Sequence, residues 1–185
     1  MGIVTKKGDK GQTCIYKGNK VFKDHIRVEA CGVLDELNAF LGAAKNFANN
    51  TKVKRVIEEI QKSLFVAGAE IATETSSLKK LKKRINEKNV RNIEKYILEL
   101  EKKNTIRGKC FCVPGKNIAS SFLDICRATV RKAERRTVTL KRKKALKNDY
   151  LLVYLNRLSD LLYLLARFYD TKAVRGKRVA EGRYR

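Results

Sequence analysis

Four charged residues recur on one side of a predicted helix in the segment ICRATVRKAERR. They stand at i, i+4, i+7 and i+8 and are Arg127, Arg131, Glu134 and Arg135. At roughly 100° per residue, they cover about a third of the helix circumference. Guanidinium groups placed in this way can bind a polyphosphate through paired hydrogen bonds, while the carboxylate orients an arginine or binds a sugar hydroxyl. The same pattern is also typical of a solvated helix face, so by itself it does not define an anion site.

A second polar stripe interrupts the leucine-rich segment YLLVYLNRLSDLLYLLAR. Its members stand at i, i+4, i+7 and i+11 and are Asn156, Asp160, Tyr163 and Arg167. Apolar neighbours flank Asn156, so we expect its amide to be partly buried and paired, because an unpaired buried amide is costly. Polar stripes on two adjacent helices predict a site between helices or between subunits. Asp35, in the earlier segment VLDELNAF, is a candidate partner for an arginine of the first stripe.

The N-terminal stretch TKKGDKGQT, residues 5–13, is a third candidate anion site. Its lysines supply positive charge, its threonine hydroxyls donate and accept hydrogen bonds, and its glycines allow close backbone approach. The composition suits a loop that wraps phosphates, but it also suits an ordinary charged turn. The chain lacks the G-x-x-x-x-G-K-[ST] pattern of a Walker A loop.

Length and composition predict a single globular domain over residues 1–185. Hydrophobic residues make up 43% of the 185 positions, which is ordinary for a folded chain. No apolar run approaches the length of a membrane span, and the first 25 residues lack the apolar centre of a signal peptide. We therefore expect a cytoplasmic protein with no membrane partner.

The formal net charge is +24, which predicts an anionic partner such as nucleic acid, an acidic membrane surface or a phosphorylated small molecule. Basic runs such as KKLKKR, residues 79–84, are also common on solvated surfaces. The five cysteines form no C-x-x-C pair, so reduced packing thiols are expected. With His25 as the one histidine, a zinc site is not expected.

The periodicity of apolar residues predicts five helices. The first occupies HIRVEACGVLDELNAFLGAAKNF, the second follows Thr51 as its N-cap, and the third is a shorter helix around residues 90–100. The fourth follows Asn117 as its N-cap and runs to about Leu140, and the fifth begins near Asp149. The predicted fold class is all-α, a five-helix up-down bundle in which the third helix is an addition.

Around these helices, the sequence predicts little other regular structure. CIYKG and KCFCV are the candidate strands, and the lysine-rich stretch 76–88 is expected to be a mobile loop. The predicted organisation is an N-terminal segment over 1–24, a helical bundle over 25–175 and a basic tail over 176–185.

The segments TKKGDKGQT, RVEACGVLDELNAFLG, VPG, RATVRKAERR and YLNRLSDLLYLLAR occur in this order between residues 4 and about 170. The ordered set resembles the propanediol-utilisation type of ATP:cob(I)alamin adenosyltransferase. The resemblance implies a ferritin-like five-helix bundle with an N-terminal phosphate-binding loop, assembled as a homotrimer with active sites between subunits. It also implies the reaction, in which Co(I) of a reduced corrinoid attacks C5′ of ATP to give adenosylcobalamin and triphosphate. Mg²⁺ is the implied cofactor, held mainly by the ATP phosphates.

The resemblance also implies roles for individual residues. Those implied to contact ATP are Thr5, Lys6, Gly8, Thr13, Lys23, Arg131, Glu134, Arg135 and Asn156. Arg127 and Asp35 match a pair that joins neighbouring subunits. Phe111 matches the aromatic residue below the corrin ring, and Tyr163 is a further corrinoid-binding position. The implied catalytic set is Arg127, Arg131, Phe111 and Asp35. In this interpretation, the basic groups stabilise the charge that grows on the departing triphosphate.

Four positions depart from the family's usual residues. Lys7 stands where threonine is common, and Lys116 stands where glycine is usual. Asp124 stands where histidine is frequent, and Tyr163 where phenylalanine is more often found. These departures leave the ATP side intact and bear on the corrinoid side.

Two other functions compete with the adenosyltransferase interpretation. A basic helical protein that binds RNA or DNA would explain the charge, but it would not explain Asn156, Asp35 or Glu134. A structural bundle without activity would tolerate loss of Arg131. If the adenosyltransferase interpretation is right, a cobalamin reductase and an adenosylcobalamin-dependent enzyme are the further partners to expect.

Overall fold

The computed structural model describes residues 2–4, 6–16, 18–102 and 112–181, with side chains described up to residue 171. Over these residues the chain is helical apart from one two-stranded antiparallel sheet and a short 3-10 helix. The elements are β1 (Gln12–Cys14), β2 (Lys20–Phe22), α1 (Ile26–Phe47), α2 (Thr51–Ile71), the 3-10 helix (Thr75–Lys80), α3 (Glu87–Lys102), α4 (Ile118–Arg142) and α5 (Asp149–Glu181). The prediction of a mainly helical chain is confirmed.

Side-chain caps define where the helices begin. The Asn117 side chain accepts a hydrogen bond from Ser120 N, and the Ser120 side chain accepts one from Asn117 N, which forms a complete capping box on α4. His25 caps α1 by accepting from Arg27 N at 3.2 Å. These caps satisfy backbone N–H groups that have no partner within the first helical turn.

Ion pairs between helices show that neighbouring helices run antiparallel. On α1 and α4, Glu36 pairs with Lys132, and Glu29 pairs with Arg136. As the residue number rises from 29 to 36 along α1, the number of the paired residue on α4 falls from 136 to 132. The pairing of α5 with α4 follows the same rule, because Asn156 contacts Glu134 while Arg167 contacts Asp124. The start of α1 thus lies at the same end of the bundle as the end of α4.

One continuous apolar core runs through the bundle. Its fully buried members include Leu37, Leu41, Ile57, Leu123, Leu155 and Leu158. These positions follow the 3.6-residue period on α1, α2, α4 and α5, so their burial accounts for the helical patterns in the sequence.

The small sheet differs from the predicted strand. Among the described residues of CIYKG, only Cys14 lies in a strand, where β1 pairs with β2 in the register Thr13 with Val21. Ile15 begins the connecting turn and accepts a hydrogen bond from Gly18 N at 3.2 Å. Most of the other predicted strand, KCFCV, lies outside the described residues. Cys112 and Val113, its last two residues, are not in a strand.

Three further boundaries differ from the predictions. The N-cap of α2 is Asn50 instead of Thr51, since the Asn50 side chain accepts from Val53 N. The stretch 76–88, predicted to be a loop, contains most of the 3-10 helix and the start of α3. The backbone of α5 continues to Glu181, beyond the expected start of the basic tail at residue 176.

Burial also affects the cysteines. It raises the pKa of Cys126 to about 12 and, together with the charge of Asp35, raises the pKa of Cys31 to about 11. Cys14 is exposed.

Because the thiolate is the reactive form, we expect iodoacetamide at pH 8 to label Cys14 at least about tenfold faster than Cys31 or Cys126. Peptide mass spectrometry over a time course measures this, with a guanidinium-unfolded sample as the control. Equal rates in the folded protein would contradict the assigned burial.

Candidate functional site

A chain of four polar side chains joins α3, α4 and α5. Asn156 Nδ2 donates to Glu134 Oε1 at 3.2 Å, so the expected pairing of this half-buried amide is confirmed. Arg157 Nη1 donates to Asn156 Oδ1 at 2.9 Å, and its Nε donates to Glu94 Oε1 at 3.1 Å. With its oxygen held by Arg157, the Asn156 amide can only direct its nitrogen towards Glu134.

Beside this chain lies a cleft of about 640 Å³ between α3, α4 and α5. Its lining comprises Glu94, Ile97, Leu98, Glu101, Arg127, Arg131, Arg157, Ser159, Asp160, Tyr163 and Leu164. Apolar side chains of α3 and α5 line part of the cleft, and the charged groups line the rest. The first polar stripe contributes Arg127 and Arg131, and the second contributes Asp160 and Tyr163, so the structure brings the two stripes to one cleft.

The charges of the cleft are nearly balanced within the chain. Three arginines face three carboxylates among its lining residues. One arginine, Arg157, is already paired with Glu94. Arg131 is exposed, and so is Arg135 one turn further along α4. These two guanidinium groups are therefore placed to meet an anion that arrives from outside the chain.

At one end of the bundle, the loop before β1 is tightly turned. Lys6 has a φ of 55° and Gly11 a φ of 71°, both in the left-handed region. Gly11 N donates to Gly8 O at 3.2 Å, and Lys23 N donates to Gly11 O at 2.9 Å. A Cβ placed on Gly8 would lie 3.2 Å from Lys23 Nζ. The loop and Lys23, which were predicted to act together, are thus neighbours in the structure.

Buried hydrogen bonds fix the base of this hairpin to the bundle. The Arg27 guanidinium donates to Ile71 O at the end of α2 and to Ala145 O between α4 and α5. Burial lowers the pKa of Arg27, and the charge of Glu74 opposes this effect. Asn19, in the hairpin turn, donates to Glu74 Oε1 at 3.2 Å. The hairpin is therefore held beside the end of α2.

Gly8 permits the close approach of Lys23. The resemblance implies that this loop contacts ATP, and on that basis we expect Gly8→Ala to raise the KM for ATP by about two- to tenfold, because the new methyl group displaces the Lys23 ammonium by a few tenths of an ångström. Gly32→Ala is the matched control, since a Cβ at Gly32 meets nothing within 4 Å. Steady-state kinetics of both variants test the prediction. An unchanged KM for Gly8→Ala would separate this glycine from ATP binding.

No hydrogen bond or ion pair between described residues joins the N-terminal loop to the arginine stripe within the chain. Asp35 is exposed and lacks an arginine partner among the described residues. The acidic residues of α1 that do pair with α4 are Glu36, with Lys132 at 3.0 Å, and Glu29, with Arg136 at 3.7 Å. The expected pairing of Asp35 with an arginine of the stripe therefore does not occur inside one chain.

The remaining predicted site residues lie in different parts of the chain. Thr5 and Phe111 lie outside the described residues. Thr13 is half-buried in β1. Tyr163 is half-buried, and its ring centroid lies 5.3 Å from the Arg167 guanidinium carbon.

Sequence reasoning missed several members of the site. Glu94 and Arg157 belong to the polar chain, yet on the sequence they look like ordinary surface charges. Arg167 was placed in the second polar stripe, which was predicted to line a site between helices or subunits, and the structure buries it against Asp124 and Asp170. The sequence feature that could have indicated a buried ion pair was the i, i+3 spacing of Arg167 and Asp170 among apolar neighbours.

The described residues contain neither a cluster of metal-binding side chains nor a helix that could cross a membrane. Among them, no group of three histidine, cysteine, aspartate or glutamate side chains converges to hold a metal ion. None of the described helices combines the length and apolar character that crossing a membrane requires.

The described structure is a helical bundle with an arginine-bearing lateral cleft and a lysine-bearing loop at one end. Residues 3–169 match the family model described as cobalamin adenosyltransferase. The chain belongs to the cobalamin adenosyltransferase family.

Curated relatives support this assignment over nearly the full length. The chain is 37% identical over 171 residues to a corrinoid adenosyltransferase of Citrobacter freundii, an alignment that covers 91% of this chain and 95% of the relative. It is 35% identical over 179 residues to a corrinoid adenosyltransferase of Bacillus subtilis, covering 94% and 89% of the two chains.

Solved structures agree with the sequence relatives. A variant PduO-type ATP:corrinoid adenosyltransferase from Lactobacillus reuteri, complexed with cobalamin and ATP, superposes with a TM-score of 0.85 and 33% identity. The match covers 92% of this chain and 91% of that one. A second variant of that enzyme, complexed with ATP, gives a TM-score of 0.83 with 34% identity and covers 92% and 94% of the two chains.

Proposed function

We propose that this protein transfers the 5′-deoxyadenosyl group of ATP to Co(I) of cob(I)alamin, giving adenosylcobalamin and triphosphate. The observation that carries the proposal is the cleft, where Arg131 is exposed beside the paired side chains of Glu134 and Asn156. A bundle with this cleft, in a chain of this family, fits the binding of ATP next to a large second substrate.

The basic groups have a defined task in this reaction. Negative charge grows on the triphosphate as its bond to C5′ breaks, so fixed guanidinium and ammonium groups lower the barrier. We assign this task to Arg131 and Arg135 on α4 and to Lys6 and Lys23 at the N-terminal loop. No general base is needed, because Co(I) of the substrate is itself the nucleophile and the protein positions it in line with C5′.

We assign the adenosine side of ATP to the polar chain. The Asn156 amide is held by Arg157, and Glu134 accepts one of its N–H groups. The other Asn156 N–H and the second Glu134 oxygen are then the groups available to a base or to a ribose hydroxyl.

Mg²⁺ is proposed to accompany ATP. Its hard character suits phosphate oxygens and water, and it commonly binds through a substrate's phosphates together with one or two carboxylates. We therefore expect activity to be lost when EDTA is added and to return when Mg²⁺ is restored in excess.

We propose a homotrimer in which one subunit's loop meets another subunit's arginine stripe. Two observations support this arrangement. Within one chain the turn between β1 and β2 is held beside Glu74, and no bond among described residues joins the N-terminal loop to the stripe. Ile125 and Val138 of α4 and Phe65 of α2 are exposed apolar side chains that association would cover. In this trimer, Asp35 pairs with Arg127 of a neighbouring subunit, and the active sites lie between subunits.

The corrinoid is proposed to occupy the cleft beside Tyr163. Ile97, Leu98 and Leu164 supply apolar contacts there, while Glu101 and Asp160 can accept hydrogen bonds from amide groups at the edge of a corrin. The reductase that supplies Co(I) and the enzyme that receives the product are expected partners of this activity.

The balanced charge of the cleft argues against nucleic acid as its ligand. Three carboxylates offset the three arginines among the lining residues, so the cleft offers no continuous basic surface to a phosphate backbone. The net charge of +24 still allows nonspecific binding elsewhere on the surface.

The decisive experiment mixes purified protein with Mg·ATP and chemically reduced cob(I)alamin under anaerobic conditions. Absorbance follows the light-sensitive cobalt–carbon product, and released triphosphate is measured in the same samples. We expect product and triphosphate in a one-to-one ratio, and neither of them without protein. Protein that binds nucleic acid but forms no product and does not bind Mg·ATP would overturn the proposal.

A further inference from the structure

A buried cluster of charged side chains lies next to the cleft and is not part of the binding set assigned above. Asp124 on α4 and Arg167 on α5 form an ion pair, and Arg167 Nε lies 3.2 Å from Asp170 Oδ2. The exposed fractions are 7% for Asp124 and 4% for both Arg167 and Asp170. Burial alone would lower the pKa of Arg167, but contacts with Cys112, Asp124 and Asp170 outweigh it and raise that pKa. We call these three residues, Asp124, Arg167 and Asp170, the Asp124 cluster.

The Asp124 cluster carries two carboxylates and one guanidinium, so by itself it has a net charge of −1. A buried net charge is costly unless another charge compensates it. Arg127, which lines the cleft, supplies that charge, since its Nε lies 3.7 Å from Asp124 Oδ1. The Nε atom is itself buried and has no hydrogen-bond partner among described residues. This distance exceeds a hydrogen bond, so the attraction is Coulombic and depends on the charge of Asp124.

The same cluster also touches the wall of the cleft through an aromatic ring. The Arg167 guanidinium carbon lies 5.3 Å from the Tyr163 ring centroid, within the range of a cation–π contact. Tyr163 lines the cleft together with Arg127. The Asp124 cluster therefore contacts two residues that line the cleft, Arg127 on α4 and Tyr163 on α5.

We propose that Asp124 is a positioning residue, which holds Arg127 directly and Tyr163 through Arg167 in fixed orientations at the wall of the cleft. Its carboxylate charge attracts the Nε side of Arg127 from within the chain, in addition to the pairing with Asp35 proposed between subunits, because their contact is not a hydrogen bond. The consequence for turnover rests on the proposed adenosyl transfer. The orientation of Arg127, however, can be measured without any turnover.

The first test measures hydrogen exchange of arginine Nε–H groups by NMR, assigned with Arg127→Lys and Arg131→Lys. In the unmodified protein, we expect Arg127 Nε–H to exchange at least tenfold more slowly than that of the exposed Arg131. In Asp124→Asn, we expect exchange at Arg127 to accelerate at least tenfold. Asp170→Asn is the matched control, equally buried and with the same change in charge but with no contact to Arg127, and it should change that rate less than twofold.

The second test measures kinetics with cob(I)alamin and Mg·ATP. We expect Asp124→Asn to lower kcat/KM for the corrinoid about tenfold while kcat/KM for ATP stays within twofold. A general loss of folding would instead lower both kcat/KM values by the same factor, since it reduces the active fraction and leaves both KM values unchanged, and circular dichroism would reveal it.

The possible results separate this inference from the proposed function. Equal exchange at Arg127 and Arg131 in the unmodified protein overturns the inference even if no variant folds. Unchanged exchange at Arg127 in Asp124→Asn overturns it as well. An unmodified protein without adenosyl transfer overturns the proposed function, while the exchange experiment still decides the role of Asp124 in holding Arg127.

Discussion

Replacing Arg131 by alanine is expected to lower kcat by a factor of about 10² to 10³, because a positioned donor to developing charge has an effect of this size. Arg131 is exposed on the cleft side of α4, one turn from Arg127 and Arg135, so its guanidinium can reach a phosphate. The growing charge of the triphosphate makes this contact stronger in the transition state than in the ground state, so we expect kcat to change more than the KM for ATP.

Arg136→Ala is the matched control for Arg131→Ala. It removes an arginine from the same helix that points away from the cleft, towards Glu29 on α1 at 3.7 Å. An exposed pair of this kind contributes little to stability, so we expect its kcat within about twofold of the unmodified protein. Anaerobic kinetics and sedimentation should be run on both variants. If Arg131→Ala kept full kcat with an unchanged assembly, this arginine would have no part in phosphate binding.

Replacing Arg27 by methionine is expected to lower the free energy of unfolding by about 3–5 kcal/mol, since two charge-assisted hydrogen bonds are lost and their acceptors are left without a donor. These acceptors are Ile71 O at the end of α2 and Ala145 O in the connection of α4 to α5. Methionine retains most of the side-chain volume, so the change isolates the hydrogen bonds from the packing.

Urea unfolding followed by circular dichroism measures the effect of Arg27→Met. Arg91→Met is the control, because Arg91 forms an exposed i, i+4 pair with Glu87 and should contribute no more than about 0.5 kcal/mol. Arg27→Lys should fall between the two, since one ammonium cannot reproduce the fork of a guanidinium. Similar stabilities for Arg27→Met and Arg91→Met would show that the buried contacts do not stabilise the fold.

The helices could be predicted from the sequence because apolar residues recur with the helical period over long segments. The N-cap at Asn117 could also be predicted, because an asparagine directly precedes the apolar pattern of α4. Asn50 and Thr51 are both good caps, and the sequence alone did not decide between them. The short strands could not be located, because three residues are too few to show an alternating pattern.

For the site, the sequence predicted which residue types share a helix face but not how deeply each is buried. Asn156 was expected to be paired, and Glu134 is its partner. Arg167 belongs to the same stripe, yet it lies under the surface between two carboxylates. Arg167 is buried because of the way α5 packs against α4, and the spacing of residues along the sequence does not specify that packing. The roles of individual residues in binding ATP and the corrinoid stay predictions.

The two hydrogen bonds of Arg27 also set an order of events during synthesis on the ribosome. Ala145 is 118 residues further along the chain than Arg27, so one acceptor does not yet exist when the N-terminal hairpin emerges. At ordinary elongation rates of about 5–20 residues per second, this delay is about 6 to 24 seconds. During that interval Arg27 has only its acceptor at the end of α2, and the start of α1 is not yet joined to the connection of α4 to α5. The start of α1 is therefore among the first parts to be made, while its hydrogen bonding is completed only when the last two helices are in place.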